Sequence, residues 1–419
     1  MLMDNFTKET GFIKEESSWS VLEQVARQGA QKMLQLALEN EVEEFVLKHS
    51  KLKGENGNKV VTKNGHMRQR ELITGLGPLP IKQPRIDDRG LKGYSGERFT
   101  SNILPRYLRR MPSIDNLIPV LYLKGISTND FPTALSSILG QGASGLSATN
   151  IVRLKSCWEE DYLKWKSRDL SHKNYVYFWV DGIYFNVRLD DARSCILVIM
   201  GADRNGNKEL VAVCDGYRES NIAWSELLLD LKQRGLSFAP NLSIGDGSLG
   251  FWAALGEVFP ETKRQRCWVH KTANILDKMP KSIQPKAKSM IHEMYMAATK
   301  ASALKAYNHF IESFEPKYPK AVECLRKDKE NLFTFYDYPA THWIHIRTTN
   351  PIESTFATVR LRTTKTKGCG SRIATLSMVF KLTMEAAKTW KKLKGHQLIL
   401  LVLENKKFVD GELSEEVAA

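Results

Sequence analysis

Between residues 20 and 48 the apolar positions Val21, Val25, Met33, Leu34, Leu36, Leu38, Val42, Phe45 and Val46 recur at spacings of three and four. That period predicts one long helix. The stretch VLEQVARQGAQKMLQLALENEVEEFVLKH has no proline and a single breaker, Gly29. It reads as a packing or oligomerisation helix and sets residues 1–50 apart as a first segment. The pattern dissolves over KLKGENGNKVVTKNGH, a polar run rich in Gly and Asn that is expected to be a solvated loop. ELITGLGPLPIKQPR then reads as a hairpin, two short strands around Gly75-Leu76-Gly77-Pro78.

Three helices with sharp turns are predicted across 111–170. The first covers about Ser113 to Leu123, and Lys124-Gly125-Ile126 turns the chain. Ser127 with Asp130 three residues on is a variant of the capping box for a second helix that ends at Leu139, before Gly140-Gln141-Gly142. Ser147 caps a third, through SATNIVRLKSCWEEDYLKW. The spacing resembles a helix-turn-helix, whose third helix, carrying Lys155, would enter a major groove.

From residue 174 the period becomes two. NYVYFWVDGIYFNVR, SCILVIMGAD and KELVAVCDGYRES predict three strands in meander order, the last two joined at Asp203-Arg204-Asn205-Gly206-Asn207. An amphipathic helix follows over Ile222 to Arg234, with Gly235 as its C-terminal cap. Then come a strand at NLSIGDG, a helix from Leu249 to Val258 and a strand around TKRQRCWVH. The order β-β-β-α-β-α-β gives the fold class: α+β/α/β, a mixed sheet of antiparallel meander plus parallel strands, as in an RNase H-like domain. Residues 271–339 interrupt it with an all-helical insertion (ILDKM, KAKSMIHEMYMAAT, ALKAYNHFIESF, AVECLRKD) punctuated by prolines. The sheet domain therefore comprises 174–270 and 340–395, and 396–419 is a C-terminal tail.

Charge changes this picture. The 419 residues carry 61 lysines and arginines against 47 aspartates and glutamates, a formal net charge of +14. Residues 51–110 alone contribute +9, and Arg85, Arg106, Arg109 and Arg110 lie in that segment. An excess of this size suits a polyanion, nucleic acid before an anionic membrane surface. The apolar run Leu398 to Leu403 is too short for a bilayer, which needs about 20 residues. The first residues, MLMDNFTKETGF, hold no apolar signal core. Six dispersed cysteines without a CxxC read as reduced thiols of a cytoplasmic, nucleoid-associated protein.

Three acids stand out. Asp181 interrupts the apolar strand WVDGIYF, where a charge is costly unless it faces a partner or an ion. Asp246 ends a strand between two glycines, which let a ligand approach the backbone. Glu353 falls in the first turn of a helix that Asn350 would cap and Pro351 would open. Each has an ordinary explanation: a bulge, a strand-end turn, a capping box. Together they suit two hard divalent cations, which activate an attacking oxygen and stabilise a leaving one in phosphoryl transfer. Asp215, Glu219, Asp190 and Asp191 are expected at turns or the surface, with Glu219 the one that could lie near the site.

GDGSLGFWAALGEVFPETKRQRCWVHKTANIL and RTTNPIESTFATVRLRTTKTKG resemble the bacterial Mutator-type transposases, a family of DDE enzymes. The separations agree, 65 residues from Asp181 to Asp246 and 107 from there to Glu353. The likeness extends through LYLKGIST and TGLGPLPIKQPR, over roughly residues 30–395. It implies that Asp181, Asp246 and Glu353 are a catalytic triad holding Mg²⁺ or Mn²⁺, two ions, and that the enzyme cleaves insertion-sequence ends and transfers strands to a target. The partner would be double-stranded DNA, held by a homodimer or larger assembly. KGCGSRIATLSMVFKL departs from the family, where many relatives have a Phe-Pro pair; a loop or the DNA path would be affected, not the chemistry.

Cys267-x-x-His270 is half a zinc site without a second pair, so it reads as a brace or a contact near the active site. Trp268 inside it either stacks a flipped base or belongs to the core. His342 and His345 are weaker candidates of the same kind. Ser354 to Met384 contains six basic residues, Arg360, Arg362, Lys365 and Lys367 among them, and no acid. Arg360 shares a helical face with Glu353, where a scissile phosphate would lie. A catalytically silent DNA-binding regulator derived from a transposase is the main rival, but such a protein is free to lose an acid and all three are present. A repair-type RNase H-like nuclease needs neither the insertion nor the basic N-terminal region.

Overall fold

The computed structural model describes residues 20–54, 56–93, 98–114, 117, 121, 126, 130–139, 148–185, 194–216, 219–365 and 372–414. The chain divides into two compact units, Met1–Leu154 and Lys155–Ala419.

In the first unit, α1 (Val21–Lys48) opens with a complete capping box between Ser20 and Glu23. One face, through Leu38, packs on Leu72, Ile81 and Leu104. Arg27, Gln31 and Gln35, one helical turn apart, donate to the carbonyls of Pro78, Pro80 and Lys82. The predicted hairpin is β2 (Arg70–Thr74) and β3 (Gly77–Ile81), with Thr74 paired to Gly77. The run expected to be a loop is partly strand: β1 (Thr62–His66) pairs antiparallel with β4 (Pro84–Asp87). Val60 and Val61 just before it are buried with Leu91. Two adjacent valines inside a polar, Gly-rich run show no period, which is why the pattern missed them. Glu39 on α1 takes up Lys63 and His66 of β1, and these bonds pull its carboxyl down to about 2. Of the helix predicted over 113–123, residues 112–114, 117 and 121 are helical. Its remainder, the Ser127 cap, the 140–142 break and Ser147 lie outside the described residues. α2 (Phe131–Leu139) buries Leu135 and Leu139 against Ile73 and Ile114. α3 (Ala148–Lys166) runs from the first unit into the second.

The second unit is built on a five-stranded mixed sheet in the order β7-β6-β5-β8-β9. β5 (Tyr175–Phe185), β6 (Ser194–Asp203) and β7 (Lys208–Gly216) form the antiparallel meander. Asp203 Oδ1 accepts from the N–H groups of Asn205 and Asn207 and so closes the predicted turn. β8 (Leu242–Gly245) and β9 (Lys263–Arg266) add in parallel beyond β5. The returns come through α4 (Asn221–Gln233) and α5 (Leu249–Val258), which lie together on one face. Phe178 and Val180 of β5 meet Trp224, Leu228, Phe251 and Leu255 there. Alternation sends Tyr177, Trp179 and Asp181 to the other face. That face is covered by α10 (Asn350–Lys365) on β5 and α11 (Arg372–Ala387) on β7.

β9 ends at Arg266, and a helix begins two residues later; the strand predicted through His270 is therefore shorter than its apolar pattern suggested. The helices α6 (Trp268–Leu276), α7 (Gln284–Met296), α8 (Lys300–Phe314) and α9 (Pro319–Arg326) make up the insertion. Behind β9, Arg266 and Lys271 are both buried and share the carboxylate of Asp328, at 3.1 and 2.6 Å. The segment expected as a tail is folded as far as 414. It holds a two-residue hairpin, β10 (Phe408–Val409) with β11 (Glu412–Leu413), and Gly411 bonds Ala340 and Tyr336.

Candidate active site

The register of the sheet brings two of the three acids level. β5 and β8 pair as Tyr177 with Leu242, Phe178 with Ser243 and Trp179 with Ile244. The offset is 65 residues throughout, the separation of Asp181 from Asp246. Extending the ladder by two residues sets these aspartates opposite each other on strands about 4.8 Å apart. β8 stops at Gly245, so Asp246 sits where the strand opens, and its Oδ1 accepts from Ser248 N–H at 2.8 Å.

α10 delivers Glu353 to the same place. Its Oε1 lies 3.7 Å from His270 Nδ1, and His270 in turn acts electrostatically on Asp181. Burial pushes the Asp181 carboxyl up to about 7; His270 opposes the shift, and the nearby charges of Asp246 and Glu219 add to it. Glu219 is a fourth carboxylate here. Burial and Asp246 raise it above its ordinary value. It packs against Gly182, where a Cβ would collide with its carboxylate, and its own backbone is in the left-handed region at φ 50°. Its position in a loop between β7 and α4 hid it from any periodic pattern, and the one hint was its closeness in sequence to the meander.

Asn350 is not the cap. The helix begins at Asn350, which is exposed, and the residue before it, Thr349, is fully buried. The backbone N–H groups of Ile352 and Glu353 donate to Thr349 O. Thr349 escaped the sequence reading because its role depends on contacts across 82 residues of chain to Cys267. Among the described His, Cys, Asp and Glu side chains, one set of three brings its ligand atoms within 4.8 Å of one another: Cys267, His270 and Glu353. Asp181 and Asp246 are outside that set. Burial raises the Cys267 thiol, but hydrogen bonds from His270 and Thr349 outweigh it and leave the thiol below its ordinary value. The same bond to Cys267 is the main cause that lifts His270 to about 9.

Trp268 is fully buried; its Nε1 donates to Leu332 O at 2.8 Å, and its ring meets Tyr295 and Phe333. It braces the insertion and presents no ring to solvent. His342 and His345 are structural too: the His342 ring bonds Tyr177, and the His345 backbone carbonyl accepts the Trp179 indole N–H, on the same sheet face that carries Asp181. Asp215 is exposed and pairs with Arg372 at 3.4 Å.

The basic residues are spread over both units. In the first, Arg85, Arg106 and Arg109 are exposed, and Arg110 is half-buried beside Ile73. In the second, Arg360 is exposed, seven residues along α10 from Glu353, with its guanidinium 6.0 Å from the Phe356 ring. Arg362 and Lys365 are on α10 and Lys155 is on α3, while Lys367, Asp190 and Asp191 lie outside the described residues. The later half of α3 is committed to the second unit: Trp158 and Tyr162 are buried, and Tyr162 Oη donates to Val213 O. No helix among the described residues is long and apolar enough to cross a membrane, and the five cysteines among them are free of disulfides.

A family model described as "Transposase, Mutator family" matches residues 1–393. The transposase for insertion sequence element IS6120 of Mycolicibacterium smegmatis is 52% identical over 302 residues, 72% of this chain and 93% of the relative. The transposase for IST2 of Acidithiobacillus ferrooxidans is 49% identical over 285 residues, 66% of this chain and 94% of the relative. The transposase for IS256 in transposon Tn4001 of Staphylococcus aureus is 26% identical over 367 residues, 86% of this chain and 90% of the relative.

Proposed function

The chain belongs to the Mutator family of transposases, and from that premise we propose that it binds the double-stranded ends of an insertion sequence and cuts and joins them through Asp181, Asp246 and Glu353 in an RNase H-like domain. The observation that carries this reading is the register of β5 and β8, whose offset sets the two aspartates level, with α10 bringing Glu353 beside the His270 that Asp181 feels.

The donor set fits hard divalent ions. Asp181 is held up near 7 first by burial, against the opposing charge of His270, and Asp246 and Glu219 add a repulsion that a cation relieves; the proposed ligands are all oxygen. Asp181, Asp246 and Glu353 would hold Mg²⁺ or Mn²⁺, two ions in number. When bound, these supply an activated attacking oxygen and a stabilised leaving oxygen. The protein's own part is to hold the phosphate in line. Arg360, on the Glu353 face of α10, contacts the backbone near the scissile bond, with Arg362, Lys365 and Lys367 continuing that contact. Arg85, Arg106, Arg109, Arg110 and Lys155 add phosphate contacts from the N-terminal segments. Water attacks the end phosphodiester, the bond to the 3′ oxygen breaks, and that oxygen leaves as a hydroxyl. The 3′-hydroxyl then attacks a target phosphodiester, one phosphorus–oxygen bond forming as another breaks, so the step needs no external energy source. Two ends must be held together, so the working form is a homodimer or larger, and the site of action is the nucleoid.

The test is strand cleavage on DNA carrying the element's own ends, with end binding measured in parallel. Asp246→Asn and Glu353→Gln are expected to bind like wild type and to lose cleavage by about 100- to 1,000-fold. Cleavage that survives both substitutions would overturn the assignment.

A further inference from the structure

The Cys-x-x-His motif takes no part in the scheme above, yet it is wired to both ends of it. Cys267 extends β9 by one residue, and its N–H donates to Gly245 O at 2.8 Å, the residue immediately before Asp246. Its Sγ accepts the backbone N–H of Thr349 at 3.2 Å. The Thr349 hydroxyl lies 3.2 Å from the same sulfur, 3.4 Å from His270 Nδ1 and 2.5 Å from Glu353 Oε1. Thr349 is fully buried, and its carbonyl also accepts the Glu353 N–H at 3.0 Å. A hydroxyl has one proton to give, and the carboxylate is its nearest acceptor. Glu353 is thus gripped at backbone and side chain by one residue, which is itself pinned to the strand end that carries Asp246.

We propose that Thr349, seated by Cys267 and His270, is the positioning residue that fixes the Glu353 carboxylate relative to Asp246. The convergence of Cys267, His270 and Glu353 is then a hydrogen-bond hub around the Thr349 hydroxyl, which lies within 3.4 Å of all three. The route Gly245–Cys267–Thr349–Glu353 ties β8, β9 and α10 together and gives the motif its role. Trp268, beside Cys267, secures the same junction, since its N–H donates to Arg347 O at 3.0 Å. Partners of this kind orient a metal-binding side chain without touching the ion, and removing one weakens metal affinity or activity by about 10- to 100-fold.

The inference rests on Glu353 being a metal-holding carboxylate, so the experiment separates the two claims. End cleavage by the full chain is measured against Mg²⁺ concentration for wild type, Thr349→Val, Thr349→Ser and Glu353→Gln, with end binding and thermal unfolding alongside. Valine keeps the shape of threonine and loses the hydroxyl. Thr349→Val is expected to cleave about 10- to 100-fold more slowly and to need more Mg²⁺ for its half-maximal rate, at unchanged end affinity. Thr349→Ser, which keeps the hydroxyl, is expected to restore most of the rate. Wild-type metal dependence in Thr349→Val would overturn the proposal, as would equal loss in the valine and serine variants. Should Thr349→Val fail to fold, Cys267→Ala carries the test, with the same raised Mg²⁺ requirement expected and an unchanged one fatal. Full cleavage by Glu353→Gln would count against the carboxylate assignment itself.

Discussion

His342 has no exposed surface, and its two ring nitrogens have different partners. Nε2 is 2.9 Å from Gly395 O, an acceptor, so it carries the proton; Nδ1 is then free to accept from Tyr177 Oη at 2.7 Å. His345 is bound in a similar way, its Nε2 accepting the Lys394 N–H at 3.1 Å. Both rings are neutral by construction. Burial lowers His342 below 6.5, and burial, then the positive charge of Lys208, brings His345 down to about 4. The sign follows from linkage: the unfolded chain takes up these protons near 6.5, before the folded chain does. Stability is therefore complete above about 6.5 and is lost as the pH falls from there towards 4. Urea unfolding midpoints should drop over that window, and the drop should shrink in His345→Gln; an equal drop in wild type and variant would show that His345 is not its source.

At the scale of elements, β5 to β9 and the helices between them were legible because aromatic and β-branched runs alternate and Gly235 marks the end of α4, whereas the Ser220 cap was read as part of the preceding strand. Asp181 was legible for the same reason, being a charge on an otherwise apolar strand. Asp246 and Glu353 stood out by context, one between glycines at a strand end and one in the first turn of a helix, and family resemblance added to their weight; the register that levels Asp246 with Asp181 depends on pairing between strands, which no local pattern encodes. Glu219 was legible only as an acid that could lie near the site, because it lies in a loop, and Thr349 was illegible, being a neutral side chain whose partners are distant in sequence. The end of β9 was overrun because Cys267 and Trp268 are as apolar as a strand while serving as a helix start. The ion cluster behind β9 belongs to this scale too, since it ties the helical insertion to the sheet. Arg266 and Lys271 have the single carboxylate of Asp328 between them, and Arg266 Nη1 finds no hydrogen-bond partner. Asp328→Ala would leave two buried cations facing each other. It is expected to cost about 3 kcal/mol in urea unfolding, and a change below about 0.5 kcal/mol would mean that the cluster does not hold the insertion.

For the whole molecule, the proposal joins two properties that arise independently in the chain. One is a net charge of +14, with an N-terminal segment at +9, which draws a polyanion to the surface without selecting its sequence. The other is a small group of half-buried carboxylates at the open end of a mixed sheet, which a phosphate backbone alone would repel. Divalent cations held by Asp181, Asp246 and Glu353, as proposed, would reconcile the two. The most direct measurement is end cleavage by Asp246→Cys in Mg²⁺ and in Mn²⁺, compared with wild type. A thiolate is a poor ligand for Mg²⁺ and a better one for the softer Mn²⁺. The account predicts that the variant is inactive in Mg²⁺ and regains cleavage in Mn²⁺, at unchanged end binding. Equal loss in both metals would contradict the claim that Asp246 holds the ion.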